Sequence, residues 1–379
     1  MIQAAYIHIP FCEHICHYCD FNKVYLKGQP VDAYLEALGT EMKQIVEKTP
    51  TSSLNSIFVG GGTPTSLNER QLERLCAIIR EYLPFFPDIE YTFEANPGDL
   101  SQEKLKVLFD GGVNRLSFGV QTFDEELLKK IGRTHNPDDV YESIAKAKKV
   151  GFQNINIDLM YSLPNQSIDQ LKQTLQRSFA LEVTHFSAYS LIIEPKTIFY
   201  QLMNKGKLQI PNEDEEAEMY HLLMNEMEKH GYHQYEISNF AKSGYESLHN
   251  LTYWNNDEYY GFGAGAHCYV NGVRSSNYGP IKKYINPLES GELPIMDAHV
   301  LSEKEKWEEE MFLGLRKVKG VSIERFITKF GKSPLDIFQQ KLKELKEKGL
   351  LTIENGYIFL TRHGRFLGNE AFEAFLLDE

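Results

Sequence analysis

Over its first 230 residues the chain repeats one pattern six times: a short strand-like run followed by a helical stretch. The strand segments are 5–10, 56–60, 90–96, 115–121, 153–160 and 185–192. The helical stretches are 32–48, 68–83, 101–111, 124–131 with 137–150, 167–181 and 213–230. Asn68 with Gln71, and Ser167 with Gln170, have the spacing of capping boxes. Gly151 and Gly231 fall where helices should stop. Strands that alternate with helices build a parallel sheet with right-handed crossovers. Six units are too few for the closed eight-stranded barrel. The expected fold is therefore α/β, an open or partial (β/α)6 barrel.

The strands carry a second pattern. Ile155, Ile157 and Leu159 alternate with Asn154, Asn156 and Asp158; Tyr91, Phe93 and Ala95 with Thr92, Glu94 and Asn96; Leu116, Phe118 and Val120 with Ser117, Gly119 and Gln121. Tyr6 and His8 share a phase, as do His185, Ser187 and Tyr189. Alternate side chains of a strand point to opposite faces. The apolar phase must meet the covering helices, so the polar phase faces the barrel interior. An ordinary barrel interior is branched and apolar, and a polar one is costly unless something binds there. The expectation is a ligand cavity lined by Tyr6, Glu94, Gln121, Asp158 and Tyr189. The competing reading, a solvated sheet face, fits poorly with helices between all the strands.

Ligands of such barrels bind at the C-terminal ends of the strands, and the first strand runs into Cys12-Glu13-His14-Ile15-Cys16-His17-Tyr18-Cys19. Three thiolates spaced C-x₃-C-x₂-C can hold three corners of a cubane iron–sulfur cluster and leave one iron open. A zinc site is the alternative; it needs a fourth ligand, which His14 or His17 could supply. Gly60-Gly61-Gly62-Thr63-Pro64 follows the second strand, and a glycine run offers close backbone approach. Arg133 could pair with a carboxylate or stand as a solvated helix-end cation. Cys76 lies at helical spacing with Leu72, Leu75 and Ile79 and reads as core. The odd count of five cysteines argues for a reducing compartment.

The cysteine spacing resembles that of radical SAM proteins. The longer match, Tyr6-x-His8-Ile9-Pro10-Phe11-Cys12 through Cys19, resembles the branch that holds oxygen-independent coproporphyrinogen III oxidases and heme chaperones. The resemblance implies that the open iron of a 4Fe–4S cluster held by Cys12, Cys16 and Cys19 binds S-adenosylmethionine (SAM). It implies that Gly61, Gly62 and Thr63, in the family's GGGTP motif, meet the amino group and carboxylate of SAM. It places Glu94, Gln121, Arg133 and Asp158 at SAM-contact positions, and Tyr6 and Tyr18 beside the cluster. In the family one electron from the cluster cleaves SAM to methionine and a 5′-deoxyadenosyl radical.

Three features lean toward the heme chaperones and away from oxidase activity. The oxidases carry a fourth cysteine where this chain has Phe21. Their long N-terminal extension has no counterpart in the five residues before Tyr6. His249-Asn250-Leu251-Thr252-Tyr253-Trp254 matches the HNxxYW motif of the chaperones. Imidazole is a common axial ligand of heme iron, and aromatics pack the macrocycle. His249 with Tyr253 and Trp254 is thus the expected heme site, against a structural histidine beside a core tryptophan; His267 and Cys268 are competing ligands. The expected partners are heme and an unidentified acceptor protein.

Helical stretches near 303–318, 322–330 and 334–348 precede a run at 349–360 with an Asn355-Gly356 turn, which predicts a winged-helix-like unit. From Lys304 onward 14 Lys and Arg face 13 Asp and Glu, so the tail lacks a basic footprint. The net charge of −13 also argues against a nucleic-acid partner. No segment reads as a membrane span or leader, and the expected location is the cytoplasm. The expected organisation is a barrel over 1–235, a connecting α+β region over 236–300 and the C-terminal unit over 301–379.

Overall fold

The computed structural model describes residues 1–377. Its centre is six parallel strands: β1 (Ala4–Ile9), β2 (Leu54–Gly61), β3 (Phe85–Ala95), β4 (Arg115–Gln121), β5 (Asn154–Tyr161) and β6 (His185–Ser190). They lie side by side in chain order, each parallel to the next. The crossovers carry α1 (Val31–Lys48), α2 (Glu69–Tyr82), α3 (Gln102–Asp110), α4 (Glu125–Lys130) with α5 (Pro137–Val150), and α6 (Ile168–Phe179). All six strand–helix units stand within a few residues of their expected places. Local chemistry explains why. Asn68 and Ser167 each accept from the backbone three residues on, and Gln71 and Gln170 return the bond, so both capping boxes form.

The helices lay apolar stripes on the outer face of the sheet. From α1 come Tyr34, Leu35, Leu38 and Met42; from α2, Leu72, Leu75, Cys76 and Ile79. These meet Ile57, Val59, Tyr91, Phe93, Leu116, Phe118, Ile155 and Ile157 in one continuous core. The apolar phase of the strands is thereby spent outward, and the polar phase is left to the barrel interior.

Two features escaped the sequence reading. A short helix, α7 (Ile198–Asn204), follows β6. Residues 236–300 also do not form a separate layer, because their strands extend the barrel sheet at both ends. β7 (His233–Glu236) and β8 (Asn239–Ala241) add antiparallel beyond β6 after α8 (Glu213–Lys229). β9 (Tyr259–Phe262) adds parallel to β1, followed by β10 (His267–Val270), β11 (Val273–Asn277) and β12 (Ile295–Val300), giving twelve strands. Strands of three to six residues carry too few alternations to register as a period. Between these additions sits α9 (Leu248–Trp254), which packs against β2. α10 (Ile281–Glu289) lies against α1.

A buried carboxylate ties this added edge to the barrel. Glu41 of α1 accepts from the Gly263 amide at 2.8 Å, from Asn277 Nδ2 and from the Tyr284 hydroxyl. Burial pushes its pKa up to about 7.

The C-terminal unit has its own apolar centre, with Met311, Phe326, Leu342, Leu351, Ile358 and Phe375. α11 (Glu303–Gly314), α12 (Ile323–Phe330), α13 (Pro334–Ile337) and α14 (Gln339–Glu347) precede a hairpin of Leu351–Glu354 and Tyr357–Leu360. Asn355 and Gly356 turn it with φ of 50° and 80°, the left-handed pair such a turn requires. Three of its cations are used internally: Lys317 on Asn255 Oδ1, Arg325 on Asp257 and Lys329 on Glu310 and the Asn256 carbonyl. The unit is thus clamped onto the loop after α9. The last two residues of the expected 301–379 unit lie outside the described residues. Among the described residues no helix is long and apolar enough to cross a membrane.

Glu41→Ala strands three buried donors at once. It should lower unfolding free energy by about 3 kcal/mol, since an orphaned buried donor costs about 1–3 kcal/mol and part of that is recovered by water. Urea denaturation checks this; an unchanged midpoint would show that the contact is idle.

Candidate functional site

The cysteine loop springs from the C-terminal end of β1 and is pinned along its length. Phe11–Cys12 pairs in parallel with Val24–Tyr25, closing the loop at its base. The His17 amide donates to the Ile131 carbonyl at 3.0 Å, and its Nδ1 lies 2.9 Å from the Lys130 carbonyl. Lys23 Nζ donates to the Cys19 carbonyl. Beneath the loop His8 bridges the Asn22 carbonyl at 2.7 Å and the Tyr6 hydroxyl at 2.9 Å. Cys12 is buried, Cys16 and Cys19 are half-buried, and all three thiols are free. Burial pushes the Cys12 thiol up to about 11, with Thr63 Oγ1 donating toward its sulfur at 3.7 Å.

The glycine run lets β2 end against this loop. Gly61 has φ of 113°, and a Cβ there would meet the His8 ring at 2.4 Å. A Cβ on Gly62 would come within 2.8 Å of the Phe11 carbonyl oxygen. Neither position accepts a side chain.

Below the loop opens a cavity of about 420 Å³, in the range of small-molecule sites. Its lining brings together Cys12, Cys16 and Cys19, Tyr18, Gly61, Gly62, Thr63, Glu94, Gln121, Arg133, Asp158 and Tyr189. Tyr6 is the exception among the expected residues. It is not part of this lining: its hydroxyl is taken by His8 and its ring stacks on Phe58 at 6.2 Å, so it lies beneath the cavity.

Each wall residue has a fixed setting. Glu94 Oε2 accepts from the Gly61 amide at 2.9 Å. Arg133 donates to Asn96 Oδ1 at 2.6 Å and to the Tyr18 hydroxyl at 2.9 Å, while its buried Nε has no partner. Gln121 sits in the left-handed region at φ 66°, beside a register shift between β4 and β5, which turns its side chain at the strand end. Burial, reinforced by the Asp158 charge, pushes Glu94 up to about 7; burial also raises Asp158.

Several wall residues were on the polar phase of the strands without being singled out as site residues. Asn156 Nδ2 donates to Ser117 Oγ and Asp158 Oδ1, both at 2.7 Å. His185 Nδ1 lies 2.6 Å from Asn156 Oδ1, and its Nε2 lies 2.8 Å from the Tyr235 hydroxyl. Phe21, His14 and Ile192 rim the mouth and lie outside any strand, where no phase marks them.

The donor set suits a cluster and SAM. Three thiols face a cavity whose wall offers two carboxylates and a guanidinium with an unpartnered nitrogen. A buried thiol near 11 stays protonated unless a cation compensates the thiolate, which cluster iron does. Among the described residues no three His, Cys, Asp or Glu side chains gather as ligands of one ion would. A cubane spreads its thiolates over separate corners.

His249 is placed differently from the expectation. It lies on α9, is 1% exposed and closes the floor of the barrel. Its Nδ1 lies 3.0 Å from Ser56 Oγ, its Nε2 lies 2.9 Å from the Tyr253 hydroxyl, and its ring stacks on Phe58 at 5.1 Å. Burial, then Arg115, lowers its pKa to about 3, so the ring is neutral. Both nitrogens are engaged within the protein, and in this conformation neither is free for a heme iron. Glu90 holds the helix there, accepting from the Leu248 and His249 amides at 2.9 and 3.0 Å and from Ser247 Oγ at 3.0 Å. Of the competing ligands, His267 is exposed on β10, and Cys268 donates to the Tyr259 carbonyl at 3.4 Å.

Comparison with known proteins follows the same lines. Residues 6–177 match the model of the radical SAM superfamily, and residues 301–367 match that of the HemN C-terminal domain. The chain is 54% identical to the heme chaperone HemW of Bacillus subtilis, over 99% of both chains. It is 48% identical to that of Lactococcus lactis, over 100% of this chain and 98% of the other. To that of Escherichia coli it is 33% identical, over 99% and 98%. Among solved structures, coproporphyrinogen III oxidase (HemN) of Escherichia coli superposes with a TM-score of 0.87 at 24% identity, covering 99% of this chain and 90% of that one.

The raised pKa of Glu94 has a stability consequence. Its neutral form is favoured by folding, so its contribution is full below the unfolded carboxylate range and is lost as pH rises to about 7. Glu94→Gln keeps the shape and removes that loss. Compared with the parent, the variant should gain about 3 kcal/mol of unfolding free energy between pH 4.5 and pH 8. Equal pH profiles in urea melts would place the titration elsewhere.

Proposed function

The chain belongs to the HemW family of radical SAM proteins, and from that premise we propose that it binds heme and delivers it to an acceptor protein while carrying a 4Fe–4S cluster and SAM in its barrel. The observation that supports this most is the pairing of two features in one fold: three free thiols over a polar cavity, and the HNxxYW helix closing the floor beneath it.

In this reading Cys12, Cys16 and Cys19 would hold three irons of the cluster, and the fourth would face the cavity. Gly61, Gly62 and Thr63 would offer backbone and hydroxyl groups to the amino-acid end of SAM. Glu94 and Asp158 would accept from its ammonium or ribose hydroxyls, with Gln121 as donor or acceptor. Arg133, already oriented by Asn96 and Tyr18, would meet a carboxylate. Tyr18 would stand beside the cluster, and Tyr6 would act from below by fixing His8. When bound, cluster and SAM supply one-electron chemistry; the protein positions them and limits access of water and oxygen.

Catalytic oxidation of coproporphyrinogen is not part of the proposal. Likeness to HemN at 24% identity speaks for shared shape only. At the cavity mouth Phe21 is 60% exposed, an apolar ring where the oxidases carry a cysteine. An apolar rim favours docking of a macrocycle or a partner over a further thiolate.

Anaerobic reconstitution tests the cluster: four irons and four sulfides should assemble per chain, and alanine at Cys12, Cys16 or Cys19 should abolish them. Four-ligand zinc without sulfide would overturn it. Asp158→Ala should weaken SAM about tenfold, the loss of one charge-assisted hydrogen bond of about 1.5 kcal/mol, and leave iron content unchanged. Supplying SAM, reductant and coproporphyrinogen III to reconstituted protein should give no turnover. Catalytic accumulation of protoporphyrinogen would restore the oxidase reading.

A further inference from the structure

The lower half of the barrel holds a charge that nothing in the protein answers. Arg115 opens β4 on the inward phase, is 2% exposed and lines the cavity. Its Nε has no partner, and Nη1 reaches only Thr92 Oγ1, at 3.5 Å. Among the described residues it forms no ion pair. The carboxylates around it are engaged elsewhere. Glu90 accepts from Ser247 Oγ and the amides of α9, and Asp158 accepts from Asn156 Nδ2 at 2.7 Å. Strand register sets the depth of the charge. Arg115 pairs with Thr92 and Asn154, while Asp158 lies opposite Gly119, four residues and roughly 13 Å further along the wall. The way between them is open because the inward positions there are small: Ser117, Gly119 and Ser187 all line the cavity. Phe58, paired with Thr92, gives the level of Arg115 an apolar side. A guanidinium cannot shed its proton, and a buried charge left without a counter-charge is strongly destabilising.

We propose that Arg115 anchors a second small-molecule subsite, beneath the groups assigned to SAM, and that it binds the carboxylate of a short aliphatic acid. The guanidinium fork matches a carboxylate with two parallel N–H···O bonds. The neighbouring polar groups are already spent on one another: Asn156 Nδ2 donates to Ser117 Oγ and Asp158 Oδ1, and Ser187 Oγ donates to Asn156 Oδ1 at 3.3 Å. The open donors at this depth are therefore those of one planar group. That suits a single carboxylate better than a phosphate, whose oxygens need donors on several sides. Water in the shaft would carry no charge to oppose the guanidinium. The carbon chain of the acid has Phe58 to lie against, and the small residues leave it a path upward toward the SAM groups. The placing of the subsite below SAM rests on the reading given above; the demand of Arg115 for an anion does not.

Anaerobic thermal melts of the full-length, cluster-reconstituted chain test this, with acetate as the probe. Acetamide serves as its neutral isostere, and sodium chloride is matched for ionic strength. Acetate should raise the midpoint of the parent saturably, and neither acetamide nor chloride should do so. Arg115→Met should weaken acetate by about tenfold or more, the loss of a bidentate charged pair. Without acetate it should melt no lower than the parent, because it removes an unmatched buried charge. Arg115→Lys, a point charge without the fork, should keep a weaker response. Ser187→Leu fills the shaft from β6 and should also remove the response, a check that does not depend on how the Arg115 variants fold. SAM affinity by equilibrium dialysis should stay within about twofold in Arg115→Met, and acetate and SAM should bind together. An equal response to chloride and acetate would leave an inorganic-anion site only and overturn the carboxylate assignment. A response that survives both Arg115→Met and Ser187→Leu would place the anion elsewhere and overturn the subsite. Competition between acetate and SAM, with SAM lost in Arg115→Met, would make Arg115 part of the SAM site and overturn it as well. A parent that binds SAM but ignores acetate fails only this inference; one that responds to acetate through Arg115 but takes up no SAM fails only the SAM reading.

Discussion

Polar side chains that point into a parallel barrel must be satisfied there, and most of this molecule answers that demand. The outward phase of the six strands is apolar and meets the helices; the inward phase includes Glu94, Arg115, Ser117, Gln121, Asn156, Asp158 and Ser187. Burying such groups without partners costs several kcal/mol. Part of the requirement is met internally, through Asn156, Ser117 and His185. Part is left open: Arg115 Nε and Arg133 Nε are buried without partners, and Glu94 and Asp158 are held above their ordinary carboxylate range. An interior optimised for stability would be filled with branched apolar residues. Leaving charge unfinished around a cavity is the arrangement expected where a charged, hydroxyl-rich ligand completes it.

The same network continues downward to the helix that closes the barrel. Asp158 is bonded to Asn156, Asn156 to His185, and His185 to the Tyr235 hydroxyl, which the Ser247 amide and Asn250 Nδ2 reach at 3.3 and 3.4 Å. Ser247 caps α9, and His249 follows it. A carboxylate in the upper cavity and the motif helix at the floor therefore share one chain of buried hydrogen bonds. Such a chain has few alternative arrangements, because each member left unpaired carries its own desolvation cost. A ligand that draws Asp158 toward itself would alter what Asn156 and His185 can donate. This is contiguity, which permits coupling between the two sites; a change in affinity at one on filling the other would be the physical warrant for it.

How far the sequence disclosed this follows from periodicity and its limits. Six strands and their covering helices were legible because each has enough alternations or helical turns to register, and because capping boxes such as Asn68–Gln71 fix their starts. The cavity was legible because Asn156, Asp158 and their neighbours are polar on one strand phase. Tyr6 was misplaced within it, since phase gives the face but not the depth, and its hydroxyl is drawn to His8. The added strands β7 to β12 were not legible as part of the sheet: they are short, and the strand that joins the last four to the barrel, β9, pairs with β1 more than two hundred residues away. His249 was legible as a motif residue but not as a buried one. Its burial comes from Phe58, Ser56 and Glu90, on strands far off in sequence, which no local pattern announces.

Closing the barrel floor with an imidazole sets its own electrostatic condition. Burial, then Arg115, holds the ring of His249 uncharged, so no second buried cation is placed beside that guanidinium. The two nitrogens are completed by Ser56 Oγ and the Tyr253 hydroxyl, and a ring left with either nitrogen bare would carry a desolvation cost. The Glu90 carboxylate on the amides of α9 fixes the helix that presents the ring. Any group that drew His249 away from either partner would therefore have to supply an equivalent bond to the nitrogen it frees.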